Sequence, residues 1–378
     1  MSYQAESQVF DAEILGIIDA WHRRGEMLSD GAFDDLALRL FAYQLRYNAP
    51  YARYCERLGL TSPPTWEQIP GVPAAAFKEA ALTTFDPHEA ALTFETSGTT
   101  RGVGGLHYME TAALYDAVLL AGFDRFVLAD GARLRYFNLV PNPAERERSS
   151  LGYMMARVAK ERGDGRTKWY LRNDELLAGE FEADLTEAIA EQQPVCIAAS
   201  AFALVNLLDA MDAHGSRFVL PSGSRVMETG GFKGRTRQID REELHAKLRD
   251  RFTLNDHAII AEYGMTELTS QYYDVAPPAG YKSSPPWLRA RVVTPDRTTL
   301  PNGNVGALLH VDLANRSSCI AIQTEDLGLQ AAEGLVLLGR EVDAPPRGCS
   351  LDAETLSASP ARALVRSPHP RSSSRRRS

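Results

Sequence analysis

Apolar residues at Ile14, Leu15, Ile17, Ile18 and Trp21 recur at helical spacing, and Phe33, Leu36, Leu38, Leu40 and Phe41 repeat the pattern less regularly. Side chains three and four positions apart share one face of a helix, so residues 1–80 are expected to form a helical region. Beyond it the period changes. Short apolar runs at 134–140, 195–199, 218–220 and 258–261 read as strands, and 176–192 and 202–213 carry the longer helical pattern between them. Alternation of this kind predicts parallel strands joined by crossover helices, hence an α/β architecture of layered sheets and helices. Later, 306–313, 318–323 and 335–338 are strand-like with no long helix between them, which predicts a more antiparallel end. Prolines at 277, 278, 285, 286 and 301 mark loops in the stretch after Glu267.

With 378 residues, 44% of them hydrophobic, the chain can build one large or two ordinary domains around a substantial core. No apolar stretch approaches the length of a membrane span, and the first residues lack the basic-then-apolar order of a signal peptide, so a cytoplasmic location is expected. A net charge of −8 argues against nucleic acid as a partner. Residues 357–378 are the local exception, with six arginines, no acid, three prolines and many serines, and are expected to be a disordered basic tail. Cys55, Cys196, Cys319 and Cys349 are widely spaced and show neither a disulfide framework nor a zinc pattern.

Two clusters carry chemistry. In Phe94-Glu95-Thr96-Ser97-Gly98-Thr99-Thr100, hydroxyls and backbone N–H groups are packed around a glycine that lets an anion approach, which suits a polyphosphate. It is not a P-loop, because no Lys-Ser or Lys-Thr follows at the required spacing. The second cluster, Glu262-Tyr263-Gly264-Met265-Thr266-Glu267, follows the expected strand at 258–261 and so emerges where open α/β sheets bind ligands. There Tyr263 is placed to stack on a base, Thr266 to bond a phosphate, and Glu267 to hold a magnesium ion that also touches ATP.

With these two motifs the chain resembles the adenylate-forming superfamily, and Gly230-Gly231-Phe232-Lys233, Thr324-Glu325-Asp326-Leu327-Gly328, and Gly339-Arg340 with Asp343 extend the resemblance in the family's order. Within it, the short length, the Gly-Gly-Phe-Lys-Gly-Arg run and the ending Arg347-Gly348-Cys349-Ser350-Leu351 look most like the acyl-protein synthetase of the bacterial bioluminescence fatty-acid reductase complex. The resemblance covers roughly residues 70–351. It implies an adenylate-forming core at 81–345, an acyl-acceptor segment at 346–356, and a shortened carboxyl-terminal lobe. It also implies ATP and Mg²⁺ as cofactors, a fatty or related carboxylic acid as substrate, and an acyl-acceptor protein or reductase as partner.

The same resemblance implies that Thr96, Ser97, Gly98, Thr99 and Thr100 hold the leaving pyrophosphate, Thr266 the α-phosphate and Glu267 the metal. Gly230 and Gly231 would lie against adenine beside Tyr263 and Gly264, with Asp326 on the ribose hydroxyls and Arg340 reaching the same sugar or the phosphate. Cys349, flanked by Gly348 and near Arg347, is the expected acyl acceptor, ahead of Cys319 in its apolar run. Two departures stand out. Arg101 occupies the region where the superfamily's loop carries a lysine, and the residues after Arg340 are too few for the superfamily's mobile lobe with its catalytic lysine, leaving Lys233 as a candidate by position. His107 and His310 are open between contact with the acyl substrate and simple packing. A carboxylate-CoA or carrier-protein ligase, and a non-catalytic nucleotide- or acyl-binding subunit of a reductase complex, are the alternatives.

Overall fold

The computed structural model describes residues 2–96, 104–230, 240–274 and 280–340. Three helices come first: α1 (Tyr3–Arg24), α2 (Asp30–Tyr47) and α3 (Ala49–Leu58). Each begins at a side chain that satisfies an otherwise unpaired N–H, with Ser2, Ser29 and Asn48 accepting from Ala5, Ala32 and Tyr51. Their apolar faces do not form a separate lobe. Phe10, Ile14, Trp21, Phe33 and Leu40 share one core with Trp287, Leu308, Val311, Ile320 and Ile322 from the other end of the chain. A two-residue strand, β1 (Val72–Pro73), reaches across to that end.

The central part begins with a hairpin, β2 (Leu92–Glu95) and β3 (Leu106–Met109), followed by α4 (Ala113–Phe126), β4 (Arg135–Leu139) and α5 (Ser150–Arg162). Next come β5 (Lys168–Trp169), the small hairpin of β6 (Leu171–Arg172) and β7 (Glu175–Leu176), and α6 (Ala178–Ala190). The chain continues through β8 (Val195–Ser200), α7 (Ala201–His214), β9 (Arg225–Thr229), α8 (Arg241–Phe252) and β10 (Ile259–Tyr263). Strands β5, β4, β8, β9 and β10 pair in parallel, as the alternation predicts. Because side chains alternate along a strand, Phe137, Ile197, Ala199 and Val226 pack under α6, α7 and α8, whereas Tyr136, Cys196, Ala198 and Met227 pack under α4 and α5.

The strand expected at 218–220 is not formed. Phe218 instead donates its N–H to the Arg251 carbonyl at 3.0 Å, Val219 is 68% exposed, and Pro221 has no N–H with which to continue a ladder. Its place beside β8 is taken by β9, whose five residues are all buried although Arg225, Glu228 and Thr229 are polar. Their partners make this possible: Arg225 pairs with Asp130 at 2.8 Å and Glu228 with Arg241 at 3.0 Å.

From β10 onward the pairing is antiparallel, through β11 (Tyr272–Asp274), β12 (Tyr281–Ser283), β13 (Leu288–Val293), β14 (Gly306–Asp312), β15 (Ala321–Gln330) and β16 (Leu335–Arg340). With β1 paired in parallel beside β15, all of this joins the parallel part in one 12-stranded sheet. β15 starts at Ala321 rather than 318, because Asn315 to Ser318 form a turn closed by a Ser318 N–H to Asn315 carbonyl bond. It then runs on far enough to carry Thr324, Glu325 and Asp326 into the sheet. Among the described residues no helix is long and apolar enough to cross a membrane.

Candidate active site

The Tyr263 to Glu267 motif lies at the carboxyl end of β10, beside that of β9, where the sheet changes from parallel to antiparallel, and the hairpin that carries Thr96 is bonded to it. Thr96 directly follows β2, and both its N–H and its hydroxyl oxygen are bonded to the Gly105 backbone at 2.8 Å. That double clasp closes the neck of the connection between the hairpin strands. Gly104 and Gly105 are required there by space: a Cβ on Gly104 would lie 2.4 Å from the Thr96 carbonyl, and one on Gly105 would lie 2.8 Å from the Phe77 backbone. Ser97, Gly98, Thr99, Thr100 and Arg101 lie outside the described residues, as do Gly231, Lys233 and Cys349.

His107, on β3, joins this hairpin to the second motif. Its Nδ1–H donates to the Thr266 carbonyl at 2.7 Å, across 159 positions of sequence. The Thr266 hydroxyl in turn lies 3.3 Å from that of Ser150, at the start of α5. Glu267 is half-buried in the following turn, and its carbonyl accepts from Asn315 Nδ2 at 3.0 Å. Behind them, the buried Glu262 carboxylate accepts from the Thr229 hydroxyl, tying the strand end that precedes Gly230 to β10. A Cβ on Gly264 would sit 2.4 Å from Glu262 Oε1, so any side chain there would have to displace that carboxylate.

Tyr263 connects the motif to the Thr324 to Gly328 run on β15. Its hydroxyl donates to Asp326 Oδ2 at 2.9 Å and lies 3.3 Å from His310 Nε2, while His310 Nδ1 is 2.8 Å from the Tyr272 hydroxyl. Asp326 stands opposite Arg340 in the β15–β16 ladder, so the residue expected at the ribose and the one expected at the sugar or the phosphate are register partners. Thr96, Gly230, Tyr263, Gly264, Thr266, Glu267 and Asp326 are thus gathered around the sheet's switch point. A cleft of about 600 Å³ between the end of α3 and the β13–β14 connection lies apart from it and contains none of these residues.

Burial holds both His107 and His310 neutral, pushing each imidazole down from 6.5 to about 4. The unfolded chain therefore takes up these protons at a higher pH than the folded one. Stability contributed by each histidine is full above 6.5 and is lost as pH falls from 6.5 towards 4, by up to ~3 kcal/mol per residue. Asp312, pushed up to about 6 by burial against bonds from Ser270, Ala314 and Thr269, opposes this trend below 6. Thermal unfolding of His107→Gln is expected to lose less of its midpoint than the parent between pH 7 and pH 4.5, and an equal loss would refute the assignment.

The three described cysteines are poor acyl acceptors. Cys55, Cys196 and Cys319 are buried, and desolvation pushes the first two thiols up to about 12 and the third well above its ordinary value. No group of three or more His, Cys, Asp or Glu residues able to hold a metal is present among the described residues. A single carboxylate such as Glu267 still suits magnesium, which takes most of its ligands from phosphates and water.

Sequence reasoning left His107 and His310 undecided and passed over Glu262 and Thr229 as functional supports. An isolated histidine within a strand carries no local sign of what it bonds, so no signal in the sequence singled them out.

An open conformation of 2-hydroxyisobutyryl-CoA ligase in complex with 2-HIB-AMP and CoA is similar over 85% of this chain and 76% of that one, with 12% identity and a TM-score of 0.63. The same ligase in its postadenylation state is similar over 82% and 67%, with 11% identity and a TM-score of 0.60. A complex of McyG A-PCP with phenylalanyl-adenylate matches at 18% identity and a TM-score of 0.49 over 68% of this chain, which spans about half of that protein's length (48%). The fold is that of the adenylate-forming enzymes. Within that class, the chain belongs to the LuxE acyl-protein synthetase family, whose sequence model matches residues 30–352. A search of curated proteins finds no match.

Proposed function

We propose that this protein activates a fatty or related carboxylic acid with ATP and then carries the acyl group as a protein thioester. The observation that carries the reading is the His107–Thr266 bond, which holds the neck of the Ser/Thr/Gly loop against the Tyr263 to Glu267 turn. A carboxylate is a poor acyl donor until its oxygen becomes part of a leaving group. In the first step, a substrate carboxylate oxygen attacks the α-phosphorus of ATP, the bond to pyrophosphate breaks, and acyl-adenylate forms. Such a reaction depends on positioning and charge neutralisation rather than on a protein nucleophile.

Thr96 with Ser97, Gly98, Thr99 and Thr100 would receive the departing pyrophosphate, with Arg101 adding positive charge and Lys233 a candidate for the adenylation lysine. Thr266 would contact the α-phosphate. Glu267 would supply one ligand to Mg²⁺, whose charge offsets that of the phosphates. Tyr263 would stack on adenine next to the backbone of Gly230, Gly231 and Gly264, and Asp326 would accept from the ribose hydroxyls opposite Arg340. In the second step the Cys349 thiolate attacks the acyl carbonyl, AMP leaves, and a thioester results, ready for an acceptor protein or reductase. The inert chemistry of the three buried cysteines favours Cys349 for this role.

Intact-mass measurement after incubation with MgATP and short to long fatty acids tests both steps. The parent should gain one acyl mass and Cys349→Ala none, although the variant still releases pyrophosphate. Pyrophosphate release with CoA thioester formation and no adduct would replace the second step by that of a CoA ligase. Nucleotide binding without carboxylate-dependent pyrophosphate release would overturn the catalytic reading in favour of a binding subunit.

A further inference from the structure

The described part of the site contains a polar chain whose outer end, Tyr263 and Asp326, serves the adenylation scheme and whose buried end, Tyr272 and His310, does not. Tyr272, His310, Tyr263 and Asp326 are joined in series by contacts of 2.8, 3.3 and 2.9 Å. Tyr272 and His310 are fully enclosed, at 1% and 0% exposure. The four residues come from β10–β11 and from β14 and β15, which lie beyond β12 and β16 in the sheet order, so the chain spans the antiparallel side of the switch point.

Its proton order follows from elementary donor rules. A carboxylate accepts only, so the single proton of the Tyr263 hydroxyl is committed to Asp326. The Tyr263 oxygen is then the acceptor for His310, which must carry its proton on Nε2. A neutral imidazole protonated there has an acceptor at Nδ1, and the Tyr272 hydroxyl fills it. Each link has one direction, and His310 is the only member that both donates and accepts through a rigid ring.

We infer that His310 is a positioning residue for the nucleoside: it directs the Tyr263 hydroxyl at Asp326 and thereby sets the aromatic ring and the carboxylate in one fixed arrangement for adenosine. The inference rests on the ATP reading above and adds to it the residue that joins the base platform to the ribose acceptor. It separates His310 from the acyl substrate, and its effect should fall on ATP rather than on the acid.

Four proteins test it: parent, His310→Leu, His310→Gln and Tyr272→Phe. Carboxylate-dependent pyrophosphate release is followed with ATP and with 2′-deoxyATP. His310→Leu should raise the KM for ATP about tenfold, the equivalent of one lost hydrogen bond to a charged group's partner, while kcat and the KM for the acid change little. It should also lose much of the parent's preference for ATP over 2′-deoxyATP. A purely structural role would not move that preference. His310→Gln, which retains a donor and an acceptor, should restore part of the discrimination, and Tyr272→Phe should weaken it without removing a group near the nucleotide.

Unchanged discrimination in a folded, active His310→Leu would overturn the inference and leave the adenylation reading intact. Should His310→Leu fail to fold, Tyr272→Phe decides in the same way. If the parent releases no pyrophosphate with any acid, binding of MgATP and Mg-2′-deoxyATP by calorimetry replaces turnover, with the same expected loss of preference. A parent that binds neither nucleotide would overturn both the inference and the reading beneath it.

Discussion

Glu267→Gln is expected to lower carboxylate-dependent pyrophosphate release by about 10²–10³-fold, the usual effect of removing one preorganised electrostatic contact to a developing charge. The substitution keeps size and hydrogen-bonding capacity but removes the negative charge offered to Mg²⁺. The turn itself is held from outside the side chain, by Asn315 donating to the Glu267 carbonyl at 3.0 Å and by the Thr266 carbonyl accepting from His107 at 2.7 Å. Activity should therefore fall while the circular dichroism spectrum is preserved. Raising the magnesium concentration should recover part of the lost rate, because a weakened ligand set is refilled by mass action. A variant with parental turnover would remove Glu267 from the metal site.

Arg316→Met is expected to destabilise the fold by about 3 kcal/mol, the lower end of the range for breaking a buried ion pair from one side. Arg316 is 1% exposed, and its guanidinium binds both oxygens of Asp11 at 2.8 and 2.9 Å, with Glu110 and the Tyr43 hydroxyl on its remaining edge. Removing it leaves two carboxylates facing each other at the junction of α1, β3 and the turn before β15. Both acids keep some exposure, 21% and 25% of their side chains, which moderates the cost. Urea denaturation measures the loss, and limited proteolysis should show α1 becoming accessible first. A change below about 1 kcal/mol would mean that the surrounding apolar core, not this charge cluster, holds the helix in place.

Much of the architecture is written in local pattern. The continuous apolar run of β8 and the helical periods of α6 and α7 sit within a few residues of their expected places, because strands buried on both faces and amphipathic helices each leave a distinct spacing. β9 was invisible to the same reasoning. Its polar residues are buried only because Asp130, Arg241 and Glu262 meet them from other elements, and no window of sequence contains those partners. The reverse error at 218–220 has a matching cause: the run is apolar, but Pro221 follows and the neighbouring edge was already taken.

The sequence by itself determined the α/β class and the change from parallel to antiparallel pairing, and it marked the two clusters proposed for phosphate and metal, since each depends on residue type and short-range spacing. Tertiary structure alone decided that the amino-terminal helices share a core with the last strands. It alone bonded His107 to Thr266, and it alone placed His310 between Tyr272 and Tyr263 so that one hydroxyl points at Asp326. The physical reason is that a buried polar group is worth what its partner makes it, and these partners lie 38 to 159 positions away along the chain.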